Sequence, residues 1–252
     1  MAIALLSGNV IAQDKLYLVF EFMKVDNEQE AAYAETEAFW EKIHAQRVRS
    51  GDIIGWDLWF LGPGGEDQGY QYMTVNLYND PVKMFDGGNF EAALKAAYPD
   101  MTEEKLTKAF NKTSKSRDLA IRYYLEQIDM TTPEFGMPLG TVATIDMMKV
   151  DLGNYSKYEK AESEVFKPMH QKMVDAGKKG NWGLLRLMSP IGSDAYASHI
   201  TVNMYKDYEQ FFMPGDNNSP KPTEAQQKAI QDGIATRDMK WAYMATLIKK
   251  VR

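Results

Sequence analysis

Apolar residues alternate with polar or aromatic ones over 16–24 and again over 141–149, the two-residue period of a strand. Each run gives way to a long stretch with helical spacing, about 28–50 and 154–176. Each stretch is closed by a glycine, Gly51 or Gly177, where a helix end favours the left-handed backbone. Two more alternating runs follow in each case, at 53–61 and 70–78, then at 182–188 and 197–205. Their connections, "GPGGEDQG" and "SPIGSD", are rich in the residues that turns require. A second helical region and a last strand (119–128; 239–248) complete each series. The first series has an extra apolar piece at 90–98, and the second has the loop "MPGDNNSPKP". The predicted order is β-α-β-β-α-β, twice.

The two series are also alike residue by residue. "FMKVD" at 22–26 matches "MMKVD" at 147–151, and "TVNLYND" matches "TVNMYKD". "AFWEKIHAQRVRSGDIIGWDL" at 38–58 matches "EVFKPMHQKMVDAGKKGNWGL" at 164–184. His44 falls on His170, Gly51 on Gly177 and Trp56 on Trp182, all at one offset, and Arg117-Asp118 falls on Arg237-Asp238. Matches in one order with small drifts indicate an internal duplication. The predicted organisation is α+β, with one ferredoxin-like repeat at 14–130 and a second at 131–252.

A sheet with both helices on one face must bury its other face, and two such units can bury them against each other. Tandem ferredoxin-like halves of this kind resemble the dimeric α/β-barrel superfamily in a fused two-repeat form, over about 15–251. The resemblance rests on topology and duplication. It implies kinship with haem-containing chlorite-dismutase-like proteins, dye-decolourising peroxidases, monooxygenases of polyketide quinols and haem-degrading enzymes. A fold shared by such different activities does not name one. Because the halves mate within one chain, a homo-oligomer is compatible but not required.

Composition removes several classes of function. A net charge of -6 disfavours a nucleic-acid partner, which would want a basic face. No apolar run approaches the ~18 residues of a membrane-spanning helix. The absence of cysteine excludes disulfides, a thiol nucleophile and thiolate metal sites. The opening "MAIALLSGNVIAQDK" has the apolar core and small residues of a leader without its basic start, so 1–13 is expected to be a signal remnant. The expected location is periplasmic or secreted, or cytoplasmic if this stretch is no signal.

Strand alternation sorts the candidate chemistry. Along 70–78 one face carries Met73, Val75 and Leu77, and the other Tyr72, Thr74, Asn76 and Tyr78. The matching strand separates Ile200, Val202 and Met204 from His199, Thr201, Asn203 and Tyr205. The aliphatic face is expected under the helices. The polar face is expected inside the barrel, with Asn76 facing Asn203 and with Glu21, Asp146 and Arg186 nearby. Buried carboxylates there must pair, hold water or meet a ligand. His199 with Asp146 or Glu21 is the candidate acid–base group. Asn76, Asn203, Thr74, Thr201, Tyr72 and Arg186 are candidate ligand contacts.

His44 and His170 form a second candidate pair, one helical turn from Trp40 and from Phe166. In the haem-binding relatives one helix histidine holds the iron, so matched histidines depart from the pattern that the resemblance implies. Pro168 interrupts the second long helix, and that half holds one extra residue between its "MKVD" and His170. Within the helix, the extra residue predicts a π turn, and in the preceding loop it carries no consequence. The expected function is an exported small-molecule-binding protein with its ligand in the barrel or in the helix–sheet cleft of one half, its catalytic form a cofactor-free oxygenase or isomerase acting on an apolar or aromatic ligand. A structural or interaction protein with a self-satisfied polar interior is the alternative. A haem-binding protein is the third reading. No metal site is expected.

Overall fold

The structure, a computed structural model, describes residues 15–62, 64–213 and 221–252. The leader expected at 1–13 and most of the loop at 213–222 lie outside the described residues. The first half runs β1 (Tyr17–Lys24), α1 (Glu30–Arg49), β2 (Gly55–Leu61), β3 (Tyr72–Tyr78), α2 (Pro81–Asp86), α3 (Phe90–Ala97), α4 (Glu103–Thr113) and β4 (Asp118–Met130). The second runs β5 (Val142–Lys149), α5 (Tyr155–Ala161), a π turn (Glu162–Phe166), α6 (Lys167–Asp175), β6 (Asn181–Ser189), β7 (His199–Tyr205), α7 (Tyr208–Phe211), α8 (Glu224–Ile234) and β8 (Asp238–Val251). Gly51 and Gly177 end the long helices at φ of 72° and 68°, which a residue with a Cβ adopts only under strain.

The strands form one closed antiparallel barrel in the order β1-β3-β2-β8-β5-β7-β6-β4. Within it the halves contribute β4-β1-β3-β2 and β8-β5-β7-β6, joined where β2 meets β8 and β4 meets β6. Register shifts recur at matched places, Phe22/Met23 against β4 and Met147/Met148 against β8. Such bulges add the local twist that helps a sheet close.

The barrel interior is the aliphatic face, contrary to the sequence expectation. Leu18, Phe20, Phe22, Met73, Val75 and Leu125 meet Ile145, Met147, Leu185, Ile200, Val202 and Leu247 in a single core cluster. An apolar cavity of about 590 Å³ remains at one end, between Phe20, Trp59, Val75, Ile145, Val202 and Phe135. Asn76 and Asn203 therefore do not face each other. Glu21, Thr74, Asn76 and Tyr72 lie under the helices of the first half, and Asp146, Thr201, Asn203, His199 and Arg186 under those of the second. The physical reason is that a small barrel interior offers few partners for polar groups, and the few it keeps pair with one another, as Tyr70 does with Tyr243 and Asp57 with Arg252. The helices carry polar partners to the outer face of the sheet.

Helix α1 shows this directly. Its buried residues are Tyr33, Thr36, Glu37, Ile43, His44 and Arg47, so the stripe against the sheet is largely polar. The extra residue of the second half falls within the helix. Tyr158 and Glu162 take the places of Tyr33 and Glu37, and the π turn that begins at Glu162 absorbs one residue before His170. Pro168 sits in the first turn of α6, directly after that π turn, where the regular backbone ladder is already interrupted.

Candidate functional site

The first half holds a cavity of about 560 Å³ between α1 and the outer face of its sheet. Successive turns of α1 deliver Glu37, Trp40, His44 and Arg47 to it. Below them lie Glu21 from β1, Trp56 from β2, Thr74, Asn76 and Tyr78 from β3, and Arg122 from β4. Arg117, just before β4, completes the wall. The charged groups are paired. Arg122 donates to Glu21 Oε1 at 2.8 Å through Nε, and Thr74 donates to Glu21 Oε2 at 3.2 Å. Arg117 donates to Glu37 Oε1 at 2.7 Å and lies 5.5 Å over the Trp40 ring. Arg47 donates to Asp52 at 3.0 Å and to the Tyr78 hydroxyl at 3.2 Å.

Four polar atoms of this wall are buried and have no partner: Glu37 Oε2, Trp40 Nε1, His44 Nδ1 and Asn76 Oδ1. Burial pushes the Glu37 carboxyl up to about 7, against the pull of Arg117. The His44 ring is stacked 5.0 Å from Trp56 and 5.8 Å from Trp40. Burial, then Arg47 and Arg117, push its pKa well below the usual histidine value, so the ring is neutral. A buried donor or acceptor left unpaired costs about 1–3 kcal/mol. Glu37 Oε2 has its twin in Glu162 Oε1, so Trp40 Nε1, His44 Nδ1 and Asn76 Oδ1 are the atoms that set this space apart as one able to receive something polar.

The second half repeats the frame with different contents. His170 stacks 5.2 Å from Trp182, Asn203 stands opposite Trp182 in the β6–β7 register, and Arg237 lies 3.4 Å from Glu162. Here the Lys179 amine fills the centre. It meets His170 Nδ1 at 2.8 Å and donates to Asn203 Oδ1 at 2.6 Å. Asn203 donates to Asp146 at 2.9 Å, and Thr201 donates to the same carboxylate oxygen at 3.1 Å. Burial pulls Lys179 down to about 8, Asp146 opposing the shift.

The expected acid–base group is not assembled. His199 is fully buried and bonds Glu159 at 3.1 Å through Nε2 and Ser198 at 3.0 Å through Nδ1. Arg186 joins it by donating to Glu159 at 3.0 Å and also pairs with Glu126. Asp146 belongs to the Lys179 network, and Glu21 lies in the other half. Tyr72, at the place of His199, packs 4.5 Å from Tyr33 and 5.5 Å from Phe60. Of the candidate ligand contacts, the structure brings His44, Asn76 and Thr74 together in the first cleft. It brings His170, Asn203 and Thr201 together in the second. Glu37, Arg117, Arg47 and Lys179 were not anticipated.

No protein-family model matches the sequence, and no curated protein matches it. Solved structures match along nearly the whole chain. A provisionally assigned monooxygenase from Fusobacterium nucleatum superposes with a TM-score of 0.55 at 12% identity, over 94% of each chain. An anthrone oxidase-like protein gives 0.55 at 10% identity, over 95% of this chain and 93% of that one. A haem-binding protein from Thermus thermophilus gives 0.51 at 9% identity, over 93% and 92%. Likeness at such identities establishes the fold alone.

The residues present do not fit a haem. At His170 a porphyrin would have to displace the Lys179 amine and strand the acceptors it satisfies. At His44 the ring is stacked between Trp56 and Trp40, 5.0 and 5.8 Å away, with Nδ1 buried, so an iron at that nitrogen would have to part these packed rings. Among the described residues no group of three or more His, Cys, Asp or Glu side chains could hold a metal ion. Among the same residues no helix is long and apolar enough to cross a membrane.

Proposed function

From a chain with the fold of the dimeric α/β-barrel superfamily, we propose a small-molecule-binding protein whose ligand occupies the cleft beneath α1. We further propose a cofactor-free oxygenase chemistry for it. The observation that carries the reading is that three residues of the cavity wall, Trp40, His44 and Asn76, each bury a polar atom that has no partner. Trp40 and Trp56 supply flat apolar walls, which suits an aromatic ligand. Glu37 is the base. Its Oε1 is anchored by Arg117, the Tyr33 hydroxyl stands beside the carboxyl, and a carboxyl with a pKa of about 7 exchanges protons readily at neutral pH. Removal of a proton from an activated CH₂ of a flat aromatic ketone leaves a carbanion that molecular oxygen oxidises. The CH₂ and O₂ become C=O and H₂O, with no cofactor in the balance. The anthrone oxidase-like neighbour favours this direction only by analogy of fold.

The two halves are read as repeats of one ferredoxin-like unit, 14–130 and 131–252, and their matched strand orders support this. On this reading the second half has become structural, because Lys179 satisfies inside the chain the histidine and asparagine acceptors that the first half leaves open.

The test uses anthrone, with tryptophan fluorescence to report binding and an oxygen electrode to report turnover. Quenching of Trp40 and Trp56, with oxygen uptake that falls at least about tenfold in Glu37→Gln, is the expected result. Binding without uptake removes the oxygenase and leaves a binding protein. No quenching by anthrone or by smaller aromatic ligands removes the site.

A further inference from the structure

The second half reveals which chemical group the first half receives. Lys179 occupies the position of Ile53. Both follow the helix-ending glycine by two residues, and the backbone bonds around them match. The amide after the glycine reaches back to Arg47 O in one half and Met173 O in the other. The next strand is entered by Ile54 N to Leu77 O and by Gly180 N to Met204 O. Ile53 and Lys179 are both buried, at 1% and 4% exposure. The two partners of the Lys179 amine are His170 Nδ1 and Asn203 Oδ1. Their counterparts, His44 Nδ1 and Asn76 Oδ1, are two of the atoms left unpaired in the first half.

The scaffold places these counterparts alike. Asn76 lies opposite Trp56 and Val19, and Asn203 opposite Trp182 and Thr144, in the same registers. His44 stacks on Trp56 at 13° and His170 on Trp182 at 15°. An ammonium has donors and no acceptor, so His170 Nδ1 carries the lone pair. His44 Nδ1 has no partner to fix its tautomer, and a bound ammonium would select the same one. The first cleft thus holds two converging acceptors at the point where its twin holds an amine. The acid that stands near that amine, Asp146, corresponds to Glu21, a wall of the first cleft.

We propose that the first cleft binds a ligand through a protonated primary amine, held between His44 Nδ1 and Asn76 Oδ1, with the ligand's apolar body along Trp40 and Trp56. This rests on the assignment of the cleft as the ligand site and names the group that the site recognises. Lys179 is the internal counterpart of that ligand.

The test compares three probes of one skeleton: 1-naphthylmethylammonium, 1-naphthylmethanol and 1-methylnaphthalene. Each is titrated against the full chain at pH 7 with tryptophan fluorescence. The amine is expected to bind about 10-fold more tightly than the methyl compound, with the alcohol between them, since two hydrogen bonds to buried acceptors must outweigh the burial that pulls Lys179 down to about 8. Ile53→Lys supplies the amine from within and is expected to abolish binding of all three. Asn76→Leu keeps the volume and removes one acceptor. It is expected to cut the preference for the ammonium while methylnaphthalene still binds, so the inference remains testable if Ile53→Lys does not fold. Equal affinity for the ammonium and methyl compounds, or tighter binding of the alcohol than of the ammonium, overturns the inference and leaves the cleft as a ligand site. Failure of all three to bind overturns both. Binding indifferent to Ile53→Lys and to Asn76→Leu places the probes elsewhere and also overturns both.

Discussion

Glu37→Gln isolates the electrostatic cost of the first cleft. Glu37 is 1% exposed, with one oxygen bonded to Arg117 and the Tyr33 hydroxyl beside the carboxyl. Burial raises its carboxyl from 4.5 to about 7, Arg117 opposing the rise and Glu21 adding to it. The sign follows from proton binding. Between these two values the folded state holds a proton that the unfolded chain has released, so stability falls as pH rises through that window. A shift of this size corresponds to about 3 kcal/mol, at ~1.4 kcal/mol per unit, absent below pH 4.5 and complete above about pH 7. Glutamine has the same shape and no such titration. Urea denaturation of wild type and variant at intervals from pH 4 to 8 measures the difference. The stability of wild type relative to Glu37→Gln is expected to fall by about 3 kcal/mol across the window. Other raised carboxyls, including Asp57, Asp146 and Glu162, titrate in both proteins and cancel. A difference that stays flat across this range would refute both the burial argument and the assignment of Glu37 as a base near neutrality.

Other outcomes follow from the same geometry. Lys179→Met strands the acceptors on His170 and Asn203 and should cost about 1–3 kcal/mol in urea denaturation. The loss should deepen with rising pH, because Lys179 is one of the groups restraining the raised pKa of Asp146. Leu125→Ala should cost about 2–5 kcal/mol, since Leu125 is wholly buried inside the barrel. Phe60→Ala, on a residue 40% exposed, should cost markedly less, and equal losses would contradict the assignment of the inner face. Haemin added to the purified protein should give no Soret band. A band that shifts in His170→Ala or His44→Ala would contradict the fit argued against haem.

Much of the fold was legible in the sequence, because two-residue alternation and the twice-repeated "TVN" strand constrain topology strongly. The disposition of faces was not. Alternation separates Val75 from Asn76 without saying which of them enters the barrel. The missing clue lay in α1, where Glu37, His44 and Arg47 share the stripe that must face the sheet. A polar helix stripe calls for the polar side of the sheet, which leaves the aliphatic side for the interior. The matched pairs Tyr33/Tyr158 and Glu37/Glu162 were readable by the same comparison that linked His44 to His170. The π turn lies between them, and counting alone could not separate it from an insertion in the preceding loop. Lys179 was beyond reach of that comparison. It matches an isoleucine, and a lysine after a glycine turn reads as solvent-exposed until the buried amine is seen between His170 and Asn203.

The central claim is that the ligand site is the cleft under α1 and not the apolar cavity inside the barrel. A crystal structure of the protein with 1-naphthylmethylammonium tests it most directly. The account predicts density for the naphthyl ring along Trp40 and Trp56, with the amine between His44 Nδ1 and Asn76 Oδ1. Density among Phe20, Trp59, Val75 and Val202, with His44 and Asn76 untouched, would contradict it.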